Sequence, residues 1–230
     1  MHFGGSRVVV SAIMLGFDSI LFAQVAPAPA DMAKYTGLFA AAARGAAGQI
    51  AQLVGAGADV RARDRYGRTP LHVATYASKH DAMHALAKAG ADPNALENER
   101  YDIVTIAAVA DDLPTLKVAL AIGASAKNIT SRYDGTALIA AAHLGHDGVV
   151  HELIRAGAPL DHVNNLGWTA LIESIVLGNG GARHVATLKA LVEAGADVNL
   201  SDRRGLSPLA MARDRGYVEM VAILEKAGAR

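Results

Sequence analysis

The chain of 230 residues contains no cysteine, so neither disulfide bonds nor thiol chemistry can contribute to its stability or function. Aromatic residues make up 5% of the sequence, and 22 basic residues are balanced by 22 acidic ones. A formal net charge of zero provides no general attraction to nucleic acid or to an anionic membrane. The composition therefore predicts neither of these as a partner.

Sequence motifs of enzymes are also missing. There is no Gly-x-Ser-x-Gly elbow, no phosphate-binding loop and no His-Glu-x-x-His run. His80 and His84 have a spacing that can hold two zinc ligands, but no third ligand is evident and both are expected on a solvated face. We therefore predict that the protein is not an enzyme and binds no metal or cofactor.

The N-terminal 30 residues have the layout of an export signal. Arg7 precedes an apolar run over residues 8–17, and Ala23 offers a small residue for cleavage. The pattern predicts a signal peptide over residues 1–23 and an extended linker over residues 24–31.

Two features of this segment leave open whether it is cleaved or kept as an anchor. The apolar run is too short for a transmembrane helix and is followed by Asp18, so no membrane span is expected in the mature chain. Asp18 and the single Arg7 also make the signal imperfect, so an uncleaved anchor remains an alternative. We predict an exported protein, most simply one of a bacterial periplasm.

Gly-Ala dipeptides recur along the rest of the chain at spacings of 33, 33, 34, 38 and 33 residues. They are Gly57-Ala58, Gly90-Ala91, Gly123-Ala124, Gly157-Ala158, Gly195-Ala196 and Gly228-Ala229. A fixed period of this length indicates stacked structural repeats. In such an architecture an extended binding surface becomes more probable than a catalytic pocket.

The second repeat illustrates the local structure that the sequence of each repeat predicts. Thr69 is suited to cap a helix, and Pro70 follows at the first helical position, where its missing N–H costs nothing. Leu71 and Ala74 begin an apolar stripe at helical spacing. A second helix then runs to Gly90, which is a natural left-handed stop.

The hexapeptide Thr69-Pro70-Leu71-His72-Val73-Ala74 resembles the best-known motif of the ankyrin repeat, Thr-Pro-Leu-His-x-Ala. The resemblance covers residues 32–230 as six repeats. It implies an all-α solenoid of helix-turn-helix units joined by β-hairpin loops. It also implies that His72 forms structural hydrogen bonds near the helix cap.

Three departures from the repeat pattern are visible. Arg100 to Val104 replace the expected Gly-x-Thr-Pro-Leu, although Asp102 can still cap the helix. Asp111 stands at an interhelical turn where the other repeats have a small residue, and it is among the few residues that tolerate a left-handed backbone. Residues 179–183 are an insertion expected between the two helices of the fifth repeat, with little effect on stability if deleted.

Aromatic and arginine side chains are predicted at the hairpin tips of four successive repeats. These types often dominate protein interfaces. The alternative is that each aromatic residue packs against the neighbouring hairpin. The predicted partner-binding residues are Arg65, Tyr66, Arg68, Arg100, Tyr101, Arg132, Tyr133 and Trp168.

Together these patterns predict a monomeric, non-enzymatic protein that binds a partner protein through its concave surface of hairpins and inner helices. Rigid presentation of the side chains would limit the entropy lost on binding. Two alternatives are the binding of a small ligand or cell-wall fragment by the same scaffold and a metal-dependent enzyme.

Overall fold

A computed structural model describes residues 26–230 of the chain. The predicted signal peptide over residues 1–23 lies outside the described residues. Within the described part, the regular structure is thirteen helices and one antiparallel bridge between Thr130 and Gly135. The loops between repeats fold back as hairpins, but they contain no strands longer than this bridge.

Twelve of the helices form six pairs, and the pairs stack into two layers. The first helices of the pairs form the inner layer: α2 (Gly37–Arg44), α4 (Pro70–Tyr76), α6 (Ile103–Val109), α8 (Ala137–Leu144), α10 (Ala170–Val176) and α12 (Pro208–Asp214). The second helices form the outer layer: α3 (Ala47–Gly55), α5 (His80–Lys88), α7 (Leu113–Ala121), α9 (Asp147–Arg155), α11 (Ala182–Glu193) and α13 (Val218–Lys226). The six predicted helix-turn-helix units are thus confirmed.

The inner helices begin where the sequence predicts a capping residue. The oxygens of Thr69, Asp102, Thr136, Thr169 and Ser207 each accept a hydrogen bond from the backbone N–H three residues later. These bonds satisfy amides that a helix leaves without an internal partner. Asp102 therefore replaces the usual threonine without loss of the cap.

His72 has the structural role expected of it. Its Nδ1 lies 3.1 Å from the backbone nitrogen of Thr69, which donates to it, and its Nε2 lies 3.3 Å from the carbonyl oxygen of Tyr101. Nδ1 thus acts as an acceptor, which leaves the proton on Nε2 to bond the next repeat. The imidazole ties the second hairpin to the third.

Left-handed residues permit the sharp turns between elements. Asp111 has φ +55° and Ser78 has φ +51° at interhelical turns, which confirms the interpretation of Asp111. In the third hairpin Arg100 has φ +66°, where Gly67 of the preceding repeat has φ +74°. The hairpin nevertheless closes, because the Glu97 amide donates to the Tyr101 carbonyl at 3.1 Å.

Small and aliphatic residues fill the space between the two helical layers. The leucine that follows the cap by two positions is buried in each of the second, fourth, fifth and sixth repeats. These residues are Leu71, Leu138, Leu171 and Leu209. The core is continuous along the stack, because each pair buries its apolar face against its neighbours.

The inserted segment is more ordered than a surface loop. Helix α11 begins at Ala182, so part of the insertion lengthens this helix instead of lying outside it. Arg183 forms ion pairs with Asp111 at 2.7 Å and Asp147 at 3.1 Å. The insertion therefore ties the fifth repeat to the third and fourth.

The extended linker predicted over residues 24–31 is wrong in its last part. Residues Pro29–Met32 form a single helical turn, α1. Asp31 in this turn is ion-paired to Arg65 of the second hairpin at 2.6 Å. The segment therefore packs on the solenoid.

Candidate functional site

A polar side chain organises the turn of each hairpin from the second repeat to the sixth. Oδ1 of Asp64 accepts hydrogen bonds from the backbone amides of Tyr66 and Arg68, both at 2.9 Å. Glu97, Ser131, Asn164 and Asp202 accept comparable bonds in the later hairpins. Because polar side chains stabilise turns by such bonds, all five loops are held from within. The fourth loop is one residue longer, since it closes between Thr130 and Gly135 and the others close over four positions.

Main-chain hydrogen bonds join successive hairpins into a row. The amides of Asn98, Ser131 and Asn165 donate to carbonyl groups of the preceding hairpins at 3.0, 3.0 and 2.9 Å. The Asn165 side chain adds a 3.0 Å bond to the carbonyl of Arg132. We call this row, formed by residues 59–68, 92–101, 125–135 and 159–168, the hairpin surface.

Tyr66 and Arg65 lie at the tip of the second hairpin, as predicted. The Arg65 guanidinium lies 4.6 Å from the centre of the Tyr66 ring, and that of Arg68 lies 4.3 Å from it. Such cation–π contacts hold the ring against the loop.

Two of the predicted partner-binding residues, Arg68 and Tyr101, are buried. Arg68 is 1% exposed and forms an ion pair with Asp64 at 2.8 Å. Tyr101 is 3% exposed, and burial raises its pKa to about 12. Both stand one position before the helix cap, where the chain turns into the core, so neither is available to a partner without rearrangement.

The Asp64 carboxylate holds the buried Arg68 side chain in place. Burial alone would raise its pKa, but hydrogen bonds from the Tyr35 hydroxyl and the Arg68 guanidinium hold the pKa below its usual value. The Tyr35 bond measures 2.7 Å and comes from the first repeat. The second hairpin is consequently fixed from both sides of the stack.

The remaining tip arginines are paired with acidic residues of neighbouring hairpins. Arg100 lies 2.7 Å from Asp134, and Arg132 contacts Glu99. These pairs are solvent-exposed and screened by water, so each contributes little to stability and can be exchanged for another contact. The opposite charges of these neighbouring hairpins therefore neutralise one another in the isolated chain.

Tyr133 and Trp168 are half-buried, and their environments differ. Tyr133 lies at the mouth of a small cavity, whereas Trp168 packs against the hydrophobic core. For Trp168, a packing role within the fold therefore accounts for much of its environment, as in the alternative to partner binding.

Aliphatic residues of the hairpin surface were missed by the sequence reasoning. Ile129 is 48% exposed and Val163 is 49% exposed, in adjacent hairpins. Leu206 is 37% exposed in the following hairpin. The repeat register could have revealed the exposed position of Val163, since Val163 replaces Arg63 of the second hairpin.

A buried carboxylate lies beneath the Tyr133 hairpin. Oε1 of Glu173 accepts a hydrogen bond from the Asn164 side chain at 2.7 Å, and Oε2 lies 3.3 Å from Nδ1 of His143. The adjoining cavity, lined also by Thr105 and Thr130, measures about 20 Å³. A space of this size holds about one water molecule, so it is too small for an organic ligand.

The histidine pair singled out for zinc does not converge with further ligands. The solvated environment expected for His80 is only partly found. Its Nε2 lies 2.9 Å from the Thr115 hydroxyl of the neighbouring outer helix and forms a hydrogen bond with it. Among residues 26–230 no group of three or more His, Asp or Glu side chains is arranged to hold a metal ion. Within the same residues, no helix is both long and apolar enough to span a membrane.

A family model for ankyrin repeats in three copies matches residues 10–97 and 104–202. The chain belongs to the ankyrin repeat family. Repeats of this family are in general protein–protein interaction modules.

Two relatives and two solved structures illustrate the range of the family. The ankyrin repeat protein YahD of Escherichia coli is 33% identical over 190 residues, covering 82% of this chain and 94% of YahD. An ankyrin repeat domain from Acinetobacter baumannii is 44% identical, with a TM-score of 0.79 over 84% of this chain and 98% of that one. The ankyrin repeat domain of Bcl-3 is 27% identical, with a TM-score of 0.76 over 86% and 88%. Human Notch 1 is 32% identical over 151 residues, which cover 65% of this chain and 6% of Notch 1.

Proposed function

We propose that the chain is a non-enzymatic, monomeric binding protein that recognises a partner protein through the hairpin surface and the inner helices. The observation that carries this proposal is the row of main-chain hydrogen bonds that links the hairpins. Because the row is fixed before binding, its exposed side chains lose little entropy when a partner docks.

The centre of the proposed contact is formed by the fourth and fifth hairpins. Tyr133, Ile129 and Val163 supply apolar area there, and the exchangeable pairs of Arg100 and Arg132 border it. An apolar centre with a polar rim is the usual composition of a protein interface. Arg65 and Tyr66 would extend it to the second hairpin, and Trp168 would support it from below.

Pull-down with the chain as bait, followed by affinity measurements on single variants, tests this proposal. Tyr133→Ala should weaken partner binding roughly tenfold or more, as expected for an aromatic residue at an interface centre. Val163→Ser should weaken it less but measurably. Val218→Ser is the matched control, since Val218 is 79% exposed on outer helix α13, away from the hairpins.

Thermal unfolding of the same variants separates binding from folding. All three should melt close to the parent protein. Parent-like affinity of both Tyr133→Ala and Val163→Ser would count against the hairpin surface, and a loss of affinity in Val218→Ser would place the contact on the outer helices.

We also propose that the protein is exported and that cleavage after Ala23 leaves a mature chain beginning near Gln24. The support is the pattern of Arg7, the apolar run over residues 8–17 and the small residue at the proposed cleavage site. The intact mass of the protein from its native cell tests this, because a species that retains Met1 in the cytosol would contradict it.

A further inference from the structure

The fourth hairpin lacks a side chain at a position that the later and earlier hairpins fill. The residue directly before the helix cap is large in the second, third, fifth and sixth repeats and is glycine in the fourth. In chain order these residues are Arg68, Tyr101, Gly135, Trp168 and Leu206. The backbone of Gly135 is not left-handed, and an added Cβ would first meet the Ser131 hydroxyl at 3.5 Å, an ordinary van der Waals distance. The fold therefore does not require glycine here, and its effect is to leave space.

The small cavity beneath the fourth hairpin lies at this glycine. Gly135 and Ala140, both of the fourth repeat, line its volume of about 20 Å³. Ala140 stands four positions after its cap, where the second, third and sixth repeats have the larger residues Val73, Ile106 and Met211. The cavity therefore follows from two small residues of one repeat.

The fifth repeat places a carboxylate at this same position of the repeat. Glu173 stands four positions after its cap, is 2% exposed and lines the cavity. The equivalent residues of the second, third, fourth and sixth repeats are apolar, so packing of the stack does not require a charge at this position. Because an isolated buried charge is costly, the carboxylate needs donors or a cation around it.

The known partners of Glu173 leave part of this need unmet. Its oxygens accept from the Asn164 amide at 2.7 Å and lie 3.3 Å from Nδ1 of His143. Among residues 26–230 no lysine or arginine forms an ion pair with it. A carboxylate can accept about four hydrogen bonds, so acceptor capacity remains for a group in the cavity. With His143 neutral, the cluster carries a negative charge that a cation in the cavity would balance.

The rest of the lining suits an ammonium group on an alkyl stem. The hydroxyls of Thr105 and Thr130 lie at the cavity and provide further acceptor oxygens. The Tyr133 ring lies at its mouth, where an aromatic face attracts a cation and covers an apolar stem. A lysine ammonium is compact and about the size of one water molecule, whereas the planar guanidinium of arginine is larger. Lysine is therefore the basic side chain that the space accepts.

We propose that the cavity between Gly135 and Glu173, which we call the Glu173 pocket, binds the ammonium group of a lysine side chain presented by the partner protein. The lysine stem enters past Tyr133 and takes the place of the side chain that Gly135 lacks. The ammonium group donates to the Glu173 carboxylate. This inference rests on the proposed function and specifies one side chain of the partner at the centre of the contact.

The first test uses a small probe in place of the partner. The probe is lysine with an acetylated α-amino group and a methylamide at its carboxyl end, so the side chain carries its one charge. In NMR titrations of the full chain it should shift the Gly135 backbone amide and the Asn164 side-chain amide in a saturable manner. The norleucine and arginine derivatives should bind about tenfold or more weakly, because the first has no charge and the second has too large a head group.

Two variants locate the binding of the lysine derivative. Glu173→Gln should weaken it about tenfold or more, since the amide carries no charge. Gly135→Leu should abolish it by filling the pocket, and leucine is the natural residue at this position in the sixth repeat, Leu206. The matched controls are Glu193→Gln, 63% exposed on α11, and Gly48→Leu, exposed on α3 with open space around it. Both controls should bind the derivative as the parent does.

Thermal unfolding of the variants shows whether each is folded. If Glu173→Gln does not fold, Gly135→Leu decides the question by itself. Equal binding of the lysine and norleucine derivatives would overturn the Glu173 pocket, as would lysine binding that Gly135→Leu leaves unchanged. The same shifts with ammonium chloride but not with the lysine derivative would mean that the cavity holds only a small ion, which also overturns the proposal.

Partner capture separates this inference from the proposed function. Glu173→Gln and Gly135→Leu should each weaken capture about tenfold or more, whereas Glu193→Gln should not. Capture that requires Val163 but tolerates both pocket variants would leave the proposed function standing while this inference fails.

Discussion

At the scale of single residues, His72 makes the stability of the protein depend on pH. Its burial lowers the pKa of the imidazole to about 4, against an ordinary value of 6.5, so the folded protein requires the neutral form. Between these two values the unfolded chain binds the extra proton, and stability therefore rises with pH there. The contribution is present above pH 6.5 and is lost as the pH falls towards 4, with a full difference of about 3 kcal/mol.

Urea unfolding of the parent and His72→Gln proteins between pH 4 and pH 7 measures this effect. Glutamine at this position can still reach the cap amide, but it does not titrate in this range. The variant should be less stable at pH 7 and should lose less stability on acidification. Parallel pH profiles for the two proteins would show that His72 does not titrate on unfolding.

The aromatic residues of the hairpin surface show where prediction from single residues fails. Tyr66 and Tyr101 belong to successive hairpins, yet the first is half-buried at the tip and the second is inside. The sequence shows that Tyr66 stands three positions before the helix cap and Tyr101 one position before it. Only the fold shows that the second of these positions faces the core. Arg68 was predicted to contact a partner, but its guanidinium is buried. The ion pair with Asp64 and the contact with the Tyr66 ring make this burial tolerable.

At the scale of helices, α8 allows a direct test of the core. Leu138 is fully buried in this helix, whereas Leu144 near its end is half-buried. Leu138→Ala should lower the free energy of unfolding by about 2–5 kcal/mol, because it leaves a cavity in the continuous core. Leu144→Ala is the matched control and should cost clearly less in the same urea experiment; similar losses would mean that the register of α8 is misassigned.

The insertion in the fifth repeat contributes more to packing than its sequence predicts. From the sequence, removal of residues 179–183 should cost little. In the fold, the Tyr217 hydroxyl bonds the carbonyl of Gly178 at 2.9 Å, and an added Cβ at Gly180 would lie 2.5 Å from the Tyr217 ring. Repeat spacing locates an insertion but does not report such packing.

We therefore expect deletion of residues 179–183 to destabilise the protein measurably. It removes the ion pairs of Arg183, shortens α11 and uncovers Tyr217. Arg183→Ala alone should cost at most about 1 kcal/mol, because its ion pairs are exposed. Thermal unfolding of both variants decides the matter: a deletion no worse than Arg183→Ala would show that the loop packing contributes little.

At the scale of the whole molecule, the repeat period predicted most of the architecture. Helix pairs, caps and the shared core position follow from local signals that recur in most of the repeats. The path of residues 26–32 could not be predicted in this way, because it depends on a surface that exists only after the repeats have stacked. An Ala-Pro sequence indicates an extended backbone, but it does not indicate what that backbone lies against.

Stacking also predicts how stability is distributed along the chain. Each repeat contacts its neighbours, so a repeat with neighbours on both sides is held more strongly than one at an end. All residues from Ala137 to His143 in α8 are buried, whereas only Met220 and Leu224 are buried in α13. Amide hydrogens of α8 should therefore exchange at least tenfold more slowly than those of α13.

Hydrogen exchange of the Leu209→Ala variant extends this prediction. Leu209 is buried in α12, which packs on α13 and α10. If coupling passes only between adjacent repeats, exchange should accelerate in α12 and α13, less in α10 and α11, and hardly in α2 to α5. Equal acceleration in all twelve repeat helices would instead mean that the solenoid opens as one cooperative unit, and the rigidity that we ascribe to the hairpin surface would then depend on the entire stack.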